Sequence, residues 1–365
     1  MSTRALRALP GYVMSRPWQR GLLLSEYLDY GLDTQPAAVA RDYLGAYGAM
    51  KLAFRLNQLS NRRGLVADKL LFDAMLRGAG LPVPELRAVY GRPPPMGVPR
   101  LHAAAGIERL LRADGALPVF GKPAMGERSD AVLAITGINA DGAVLADGQV
   151  LPLDHLETDL RRHHRGRGYL FQGFIAQHPD IVAAIGPTVG TLRLVTLVLG
   201  QEVHVLAAVW KIPRAGAMAD NVWRGNLVAP VDAESGIVGA ARNGLGARAA
   251  RLTTHPDTGA ALDGLQLPNW PKVLRLTRRA AGLLHMLPLV GWDIAIGPEG
   301  PIFVEANTSP SLEAWQGPLD RGALAGDSGV LLRRGLEEIW QARQDRLKQR
   351  RVARRGLVLG RLRRR

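Results

Sequence analysis

Two acidic residues are predicted to face each other across a β-hairpin, and this pairing is the strongest constraint on how the chain can fold. Apolar stretches flank the turn sequence Pro298–Gly300 on both sides. A three-residue hairpin loop favours glycine at its third position, so the sequence predicts a three-residue turn that ends on its glycine. This register sets Asp293 opposite Glu305, with Asn307 two residues further along the same face.

The predicted carboxylate pair needs a stabilising partner. Side chains opposite each other in a sheet have Cβ atoms about 5 Å apart. Two carboxylates at that distance repel by about 3 kcal/mol at an effective dielectric constant of 20. A shared proton, an arginine or a divalent cation would relieve the repulsion. The amide oxygen of Asn307 adds a third ligand and favours Mg²⁺, whereas an edge hairpin with solvated acids is the alternative.

Length and composition exclude several classes of protein. The chain has 365 residues, of which 47% are hydrophobic, and it contains no cysteine. Its length predicts two or three compact units. The lack of cysteine excludes a disulfide scaffold, a thiolate zinc site, an iron–sulfur cluster and a cysteine nucleophile. We find no apolar run near the ~20 residues of a transmembrane segment and no signal peptide, which fits a cytoplasmic protein.

The net charge of +15 is concentrated in one segment. Residues 341–365 contain eleven Lys or Arg and one acid, which leaves 36 basic and 31 acidic residues in the rest of the chain. The basicity therefore belongs to a C-terminal tail. Such a tail predicts contact with an anionic surface, either nucleic acid or anionic lipid, or else it serves as a solubilising extension.

Periodicity predicts an α+β fold. Residues 1–60 are helical in pattern, including the stretch from Pro36 to Met50, and a period of two begins at residue 117. We predict further helices over residues 66–79, 100–112, 153–164, 270–286 and 329–350. We predict strands over residues 119–122, 131–138, 143–151, 168–176, 188–200, 201–212, 290–296 and 301–306.

The hairpin also carries a family resemblance. Its pattern of Asp on one strand and Glu-x-Asn on the next, within Trp292–Leu312, resembles the metal-binding end of an ATP-grasp domain. The chain is similar to the sugar-transfer-associated ATP-grasp family and, more distantly, to glutamate ligases that extend the tail of a ribosomal protein. The other blocks that agree, in the same order, are Asp68-Lys69, Gly121-Lys122-Pro123, Gln172–Pro179, Thr188–Thr196, Asp220-Asn221, His255–Thr258 and Pro268–Trp270.

The resemblance implies an ATP-grasp fold, in which two α+β subdomains clamp a nucleotide behind a helical N-terminal segment. It implies a helical segment over residues 1–60, an ATP-grasp domain over 61–340 and a basic tail over 341–365. Within the domain, a small lid subdomain covers about 117–180 and a metal-bearing subdomain about 186–340.

The resemblance also implies which residues bind ATP. Lys69 and Lys122 would contact its phosphates, and a flap after Lys122 would add Arg128 and Ser129. The strand that receives adenine would contribute Gln172, Phe174 and Ile175. The flap has a single glycine, Gly126, unlike the richer loops of the superfamily.

The implied reaction is an ATP-dependent carboxylate–amine ligation through an acyl phosphate, on unidentified substrates that belong to a cell-surface glycan or its precursor. Arg193 and Lys122 would be catalytic. Asp293, Glu305 and Asn307 would hold one or two Mg²⁺, or Mn²⁺ in their place. Two alternatives are a kinase with a hydroxyl acceptor and a non-catalytic basic binding protein. Arg193 could also form a structural salt bridge to either carboxylate.

Overall fold

The computed structural model describes residues 3–15, 21–57, 62, 64–126, 131–217, 225–246 and 249–362, and it has the α+β class that the sequence predicts. Its α-helices are α1 (Thr3–Ser15), α2 (Leu24–Asp29), α3 (Ala46–Leu56), α4 (Gly64–Ala67), α5 (Lys69–Gly78), α6 (Ala104–Arg112), α7 (Leu153–His164), α8 (Pro179–Ile185), α9 (Trp270–Leu283) and α10 (Gly326–Leu362). Its strands are β1 (Leu86–Tyr90), β2 (Arg100–Leu101), β3 (Val119–Pro123), β4 (Leu133–Ile138), β5 (Ala143–Leu145), β6 (Val150–Leu151), β7 (Tyr169–Gly173), β8 (Thr191–Leu199), β9 (Glu202–Ile212), β10 (Leu227–Val231), β11 (Ala241–Arg242), β12 (Arg251–Leu252), β13 (Leu289–Gly297) and β14 (Gly300–Asn307).

The first sheet has the strand order β2-β1-β7-β3-β4-β5-β6. Helices α6 and α7 cover one of its faces through Ile107, Leu111, Leu156 and Leu160. The sheet includes β1 and β2, which come before the 117–180 range expected for the small subdomain. The other face carries the side chains of β3 and β7 that point toward the second sheet.

The second sheet is antiparallel, with the order β12-β11-β10-β9-β8-β13-β14. Helices α5 and α9 bury one face around Trp210, Trp270 and Trp292, the three largest fully buried side chains. Helices α3 and α10 cover much of the opposite face. Helix α5 also contacts the first sheet through Leu70, so it joins the two sheets.

Asp293 and Glu305 are paired as predicted, but the turn and the strand register of the hairpin differ from the prediction. The turn contains two residues, because Gly297 pairs with Gly300, and the three-residue loop predicted from the sequence is wrong. That turn alone would set Asp293 opposite Val304. A β-bulge at Val304 shifts the register by one residue, so Asp293 faces Glu305 after all.

The N-terminal helical segment is present, but one predicted helix is broken. The stretch from Pro36 to Met50 forms a 3₁₀ turn over Ala37–Asp42 and then the start of α3. Gly45 between them is extended, and a Cβ at that position would lie 2.3 Å from the carbonyl oxygen of Gly21. The close approach of two backbones therefore ends the helical pattern there.

Two buried amide side chains tie this segment to the second sheet. Asn57 donates to the carbonyl oxygens of Leu289 (2.7 Å) and Thr308 (2.8 Å) and accepts from the backbone N–H of Leu289 (3.0 Å). Gln316 donates to the carbonyl oxygen of Leu44 (2.8 Å) and accepts from its N–H (2.8 Å). The segment is thus part of the body that carries the hairpin.

Helix α10 is longer than the 329–350 predicted. Its packed stripe contains the buried Leu332 and the half-buried Leu336 and Ile339, and nearly every side chain from Trp340 to Gln349 is exposed. None of the helices in the described part of the chain combines the length and the apolar character that crossing a membrane requires.

We predict that Gln316→Ala lowers the free energy of unfolding by about 3 kcal/mol, because it leaves buried backbone groups of Leu44 and Ala323 without their partner. Urea denaturation measures the change. Gln341→Ala, at an exposed position of α10, is the matched control and should leave stability unchanged. Equal stability of the two variants would mean that the N-terminal segment is not anchored through Gln316.

Candidate functional site

A row of charged side chains crosses one face of the second sheet where β14, β13, β8 and β9 lie side by side. Glu305 pairs with Asp293, and Asp293 pairs with Arg193 on its other side. Lys211 on β9 is opposite Thr191, two residues from Arg193 on β8. Because alternate residues of a strand share a face, these groups point to the same side of the sheet.

Arg193 and Asp293 form a two-point ion pair. The guanidinium donates from Nε to Oδ1 (2.6 Å) and from Nη2 to Oδ2 (2.9 Å) of the carboxylate. Lys211 Nζ lies 3.4 Å from Oδ2. Burial of Asp293 opposes its charge, but the two cations hold its pKa down to about 2. Asp293 is therefore a permanent anion, and the salt bridge named as an alternative role of Arg193 is present.

The loop after the hairpin folds back over this row. Arg193 donates from Nη1 to the carbonyl oxygen of Pro310 (3.3 Å). Gly291 allows this approach, since a Cβ there would lie 2.6 Å from Pro310 Cβ and 3.2 Å from Arg193 Cδ. Asn307, the third predicted metal ligand, pairs with Gly291 and lies on the face of Glu305.

The oxygen donors of Asp293, Glu305 and Asn307 have the chemistry that Mg²⁺ prefers. Both oxygens of Asp293 already accept from Arg193, so its remaining lone pairs would have to serve a cation. Within the described ranges, no three His, Asp or Glu side chains are grouped to hold a metal ion. An ion bound by these three side chains would take its remaining ligands from water and phosphate oxygens.

Lys122 connects the two sheets. It lies on β3 in the first sheet, and its Nζ is 3.5 Å from the carbonyl oxygen of Val304, the bulged residue of β14. Burial lowers its pKa to about 8, although the charges of Glu305, Asp73 and Asp293 favour the protonated form. Lys122 is thus a buried amine within electrostatic range of Glu305 and Asp293.

Lys69 lies beside Lys122 at the first position of α5. Asp68 caps this helix, since its carboxylate accepts from the backbone N–H of Leu70 (3.0 Å). The Lys69 ammonium donates to the carbonyl oxygen of Gly126 (2.9 Å), in the stretch that follows Lys122. The positive charge of Lys69 also lowers the Lys122 pKa, so the two amines are electrostatic neighbours.

A narrow crevice between the sheets collects several of the predicted nucleotide-binding residues. It is lined by Lys69, Phe72, Asp73, Val83, Pro84, Lys122, Gln172, Phe303 and Val304. Phe174 and Ile175 are not among the lining residues; Phe174 follows β7, is exposed, and its ring meets that of Phe120 edge to face. Arg128 and Ser129 of the predicted flap lie outside the described residues.

Asp73 is a charged residue of the crevice that was not predicted from the sequence. It is buried, it lines the crevice, and it accepts two hydrogen bonds from Arg77 (3.1 and 3.0 Å). Its spacing of four residues from both Lys69 and Arg77 places all three on one face of α5. This spacing is visible in the sequence and could have identified Asp73 as a candidate site residue.

The crevice and the carboxylate row together can hold a polyanion. Lys69 and Lys122 approach from the first sheet and α5, while Arg193 and Lys211 lie on the second sheet. Lysine and arginine side chains bind phosphate groups, and carboxylate and amide oxygens bind divalent cations, so these residue types suit a ligand that carries both.

Comparison with known proteins identifies one family. A model of the sugar-transfer associated ATP-grasp family matches residues 49–326. The match begins inside α3, spans every strand of both sheets and ends at the first residue of α10. No curated protein matches the chain significantly.

Several solved ligase structures resemble the chain weakly. D-alanyl-alanine synthetase A from Vibrio cholerae O1 biovar eltor str. N16961 is 13% identical, with 75% of this chain and 66% of that chain covered and a TM-score of 0.42. D-alanine–D-alanine ligase from Bacillus anthracis is 14% identical, with 78% and 70% covered and a TM-score of 0.40. L-amino acid ligase from Bacillus licheniformis is 14% identical, with 67% and 40% covered and a TM-score of 0.36. The chain thus spans less than half of that last protein, and with TM-scores below 0.5 the family assignment rests on the sequence match.

We predict that Lys122→Met raises the free energy of unfolding of the ligand-free chain by about 2–3 kcal/mol at pH 7, because methionine removes a buried charge. The folded-state pKa of about 8 lies below the ordinary value of 10.5. The folded wild type therefore releases its proton first and gains relative stability as pH rises from about 8 to 10.5. The difference in free energy of unfolding between Lys122→Met and the wild type should therefore decrease between pH 8 and pH 10.5.

Urea denaturation of both proteins at pH 7 and pH 10 measures this difference. Lys51→Met, at an exposed lysine of α3, is the control and should show no such pH dependence. A destabilised Lys122→Met at both pH values would mean that the neighbouring carboxylates stabilise the ammonium by more than its burial costs.

Proposed function

The chain belongs to the sugar-transfer associated ATP-grasp family, and we propose that it is an ATP-dependent ligase that joins a carboxylate to an amine. One observation carries the proposal: Lys69 and Lys122 line a crevice together with Val304, the residue next to Glu305, and the Nζ of Lys122 lies 3.5 Å from the Val304 carbonyl oxygen. ATP-grasp chemistry needs such a cationic space between two α+β units. The reaction would take place where ATP is supplied, in the cytoplasm.

We propose that the phosphates of ATP lie between the sheets. Lys69 and Lys122 would neutralise them, with Arg128 and Ser129 from the flap as further donors. Gln172, buried on β7 beside Lys122, would accept from the amino group of adenine, and Phe174 and Ile175 would cover the base. The exposure of Phe174 supports this role, since an exposed aromatic side chain is available to stack on a flat base.

We propose Glu305 and Asn307 as the main ligands of Mg²⁺, or of Mn²⁺ in its place, with Asp293 contributing the lone pairs that Arg193 leaves open. The ion would neutralise charge on the phosphates and orient them. The pairing of Asp293 with Arg193 and Lys211 supports this division, because both of its oxygens are already engaged by cations.

In the proposed reaction, an oxygen of the substrate carboxylate attacks the γ-phosphorus of ATP. The bond to the β-phosphate oxygen breaks, and ADP leaves behind an acyl phosphate. The amine nitrogen then attacks the acyl carbon, releases inorganic phosphate and loses a proton to give the amide. Arg193 would stabilise the transferring phosphoryl group, and Lys122 would balance charge on the leaving group. The family description supports an acceptor that belongs to a glycan or its precursor.

We predict that ATP with Mg²⁺ raises the melting temperature of the wild type by about 3 °C at saturating concentrations. Glu305→Gln should lose the Mg²⁺-dependent part of the shift, because the neutral amide binds the ion weakly. The same variant should lose ADP release in the presence of a carboxylate and an amine. Thermal unfolding with ATP, with and without Mg²⁺, measures the first effect.

Glu299→Gln is the matched control, because Glu299 is exposed at the turn of the same hairpin. It should behave as the wild type in both assays. A normal Mg²⁺-dependent shift in Glu305→Gln would contradict the metal assignment. ADP release that needs a hydroxyl compound and no amine, with a phosphorylated product, would replace the ligase by a kinase.

A further inference from the structure

The C-terminal half of α10 leaves the body of the protein as a single exposed helix. Up to Ile339 its apolar stripe packs on the second sheet and α3. From residue 340 to 349 the side chains are exposed, apart from the half-buried Gln344. The helix itself continues to Leu362.

The apolar stripe of α10 continues beyond Ile339, the last of its described apolar residues that packs on the rest of the protein. At 3.6 residues per turn, Trp340 and Leu347 lie within about 40° of Leu336, so they continue the same side of the helix. Trp340 is 56% exposed and Leu347 is 44% exposed. The side of α10 that packs on the protein at Leu336 therefore carries a large aromatic and an aliphatic group into solvent.

This stripe is surrounded by positive charge. Arg343, Arg346 and Lys348 are exposed beside it, and the sole acid of residues 341–365, Asp345, lies 3.7 Å from Lys348. A second copy of the helix is a poor partner, because it would bring an equally basic segment against this one. The occupant must therefore be anionic.

Helix α3 presents a second surface of the same character. Tyr47, Met50 and Phe54 have helical spacing and are each more than half exposed. Lys51 and Arg55 flank them, and α3 contains no acid. The two helices touch, since Gly335 of α10 packs on Leu56 at the end of α3.

We propose that α10 from Trp340 onward, next to the exposed stripe of α3, docks on an anionic lipid bilayer. A bilayer surface offers charged headgroups beside acyl chains, so it takes up aromatic and aliphatic groups together with the cations around them. A nucleic acid would pair with the same cations but would leave Trp340, Leu347 and the α3 stripe in water. The inference does not depend on the proposed reaction.

The test is sedimentation of the full chain with vesicles of phosphatidylcholine that contain phosphatidylglycerol, and with vesicles of phosphatidylcholine alone. We expect binding to the anionic vesicles alone, weakened by salt. Arg343→Gln/Arg346→Gln/Lys348→Gln should lower the partition coefficient about 100-fold. Trp340→Ser/Leu347→Ser should lower it about 10-fold or more while keeping all charges.

The control is Val330→Ser, an exposed apolar position on α10 that precedes the basic segment. It should bind as the wild type, and an unchanged melting temperature shows that each variant is folded. Wild-type binding by Trp340→Ser/Leu347→Ser would overturn the proposal, because the tail would then act as a simple polycation. Tighter binding to duplex DNA than to the anionic vesicles would overturn it in favour of nucleic acid.

Discussion

The ion pair between Arg193 and Asp293 is the interaction on which the candidate site depends. It bridges β8 and β13, two neighbouring strands of the second sheet, with hydrogen bonds of 2.6 and 2.9 Å. A buried carboxylate without such a partner would cost several kcal/mol. With Arg193 and Lys211 beside it, Asp293 stays charged, and Glu305 can remain next to it in the ladder.

The bulge at Val304 makes this pairing possible and links it to the other sheet. A one-residue change of register turns every side chain to the opposite face of a strand. Without the bulge, Glu305 would leave the charged row. With it, Glu305 joins the row and the carbonyl oxygen of Val304 lies 3.5 Å from the Lys122 amine. The bulge at Val304 therefore determines both the position of Glu305 and the contact of β14 with Lys122.

The N-terminal helical segment contributes to the same body. Its last helix, α3, lies against the second sheet and α10, and Asn57 holds it to the first residue of β13. The family match begins within this helix, at residue 49. The segment therefore fixes the first residue of β13, and its helix α3 contacts α10 where Leu56 meets Gly335.

The sequence by itself determined the α+β class, the family and the basic tail, because local periodicity and charge spacing are properties of the chain. The facing of Asp293 and Glu305 was also predicted, but from a three-residue turn that the structure replaces by a two-residue turn and a bulge. The sequence did not determine the two-residue turn or the bulge, since both depend on how β14 meets β13 in three dimensions. The sequence also could not decide which group neutralises Asp293. Arg193 is 100 residues away in sequence and becomes adjacent only through strand pairing. Lys69 and Asp73 lie on one helix, α5, but Lys122 joins them only when α5 packs between the sheets. Such long-range contacts and burial are set by the tertiary structure.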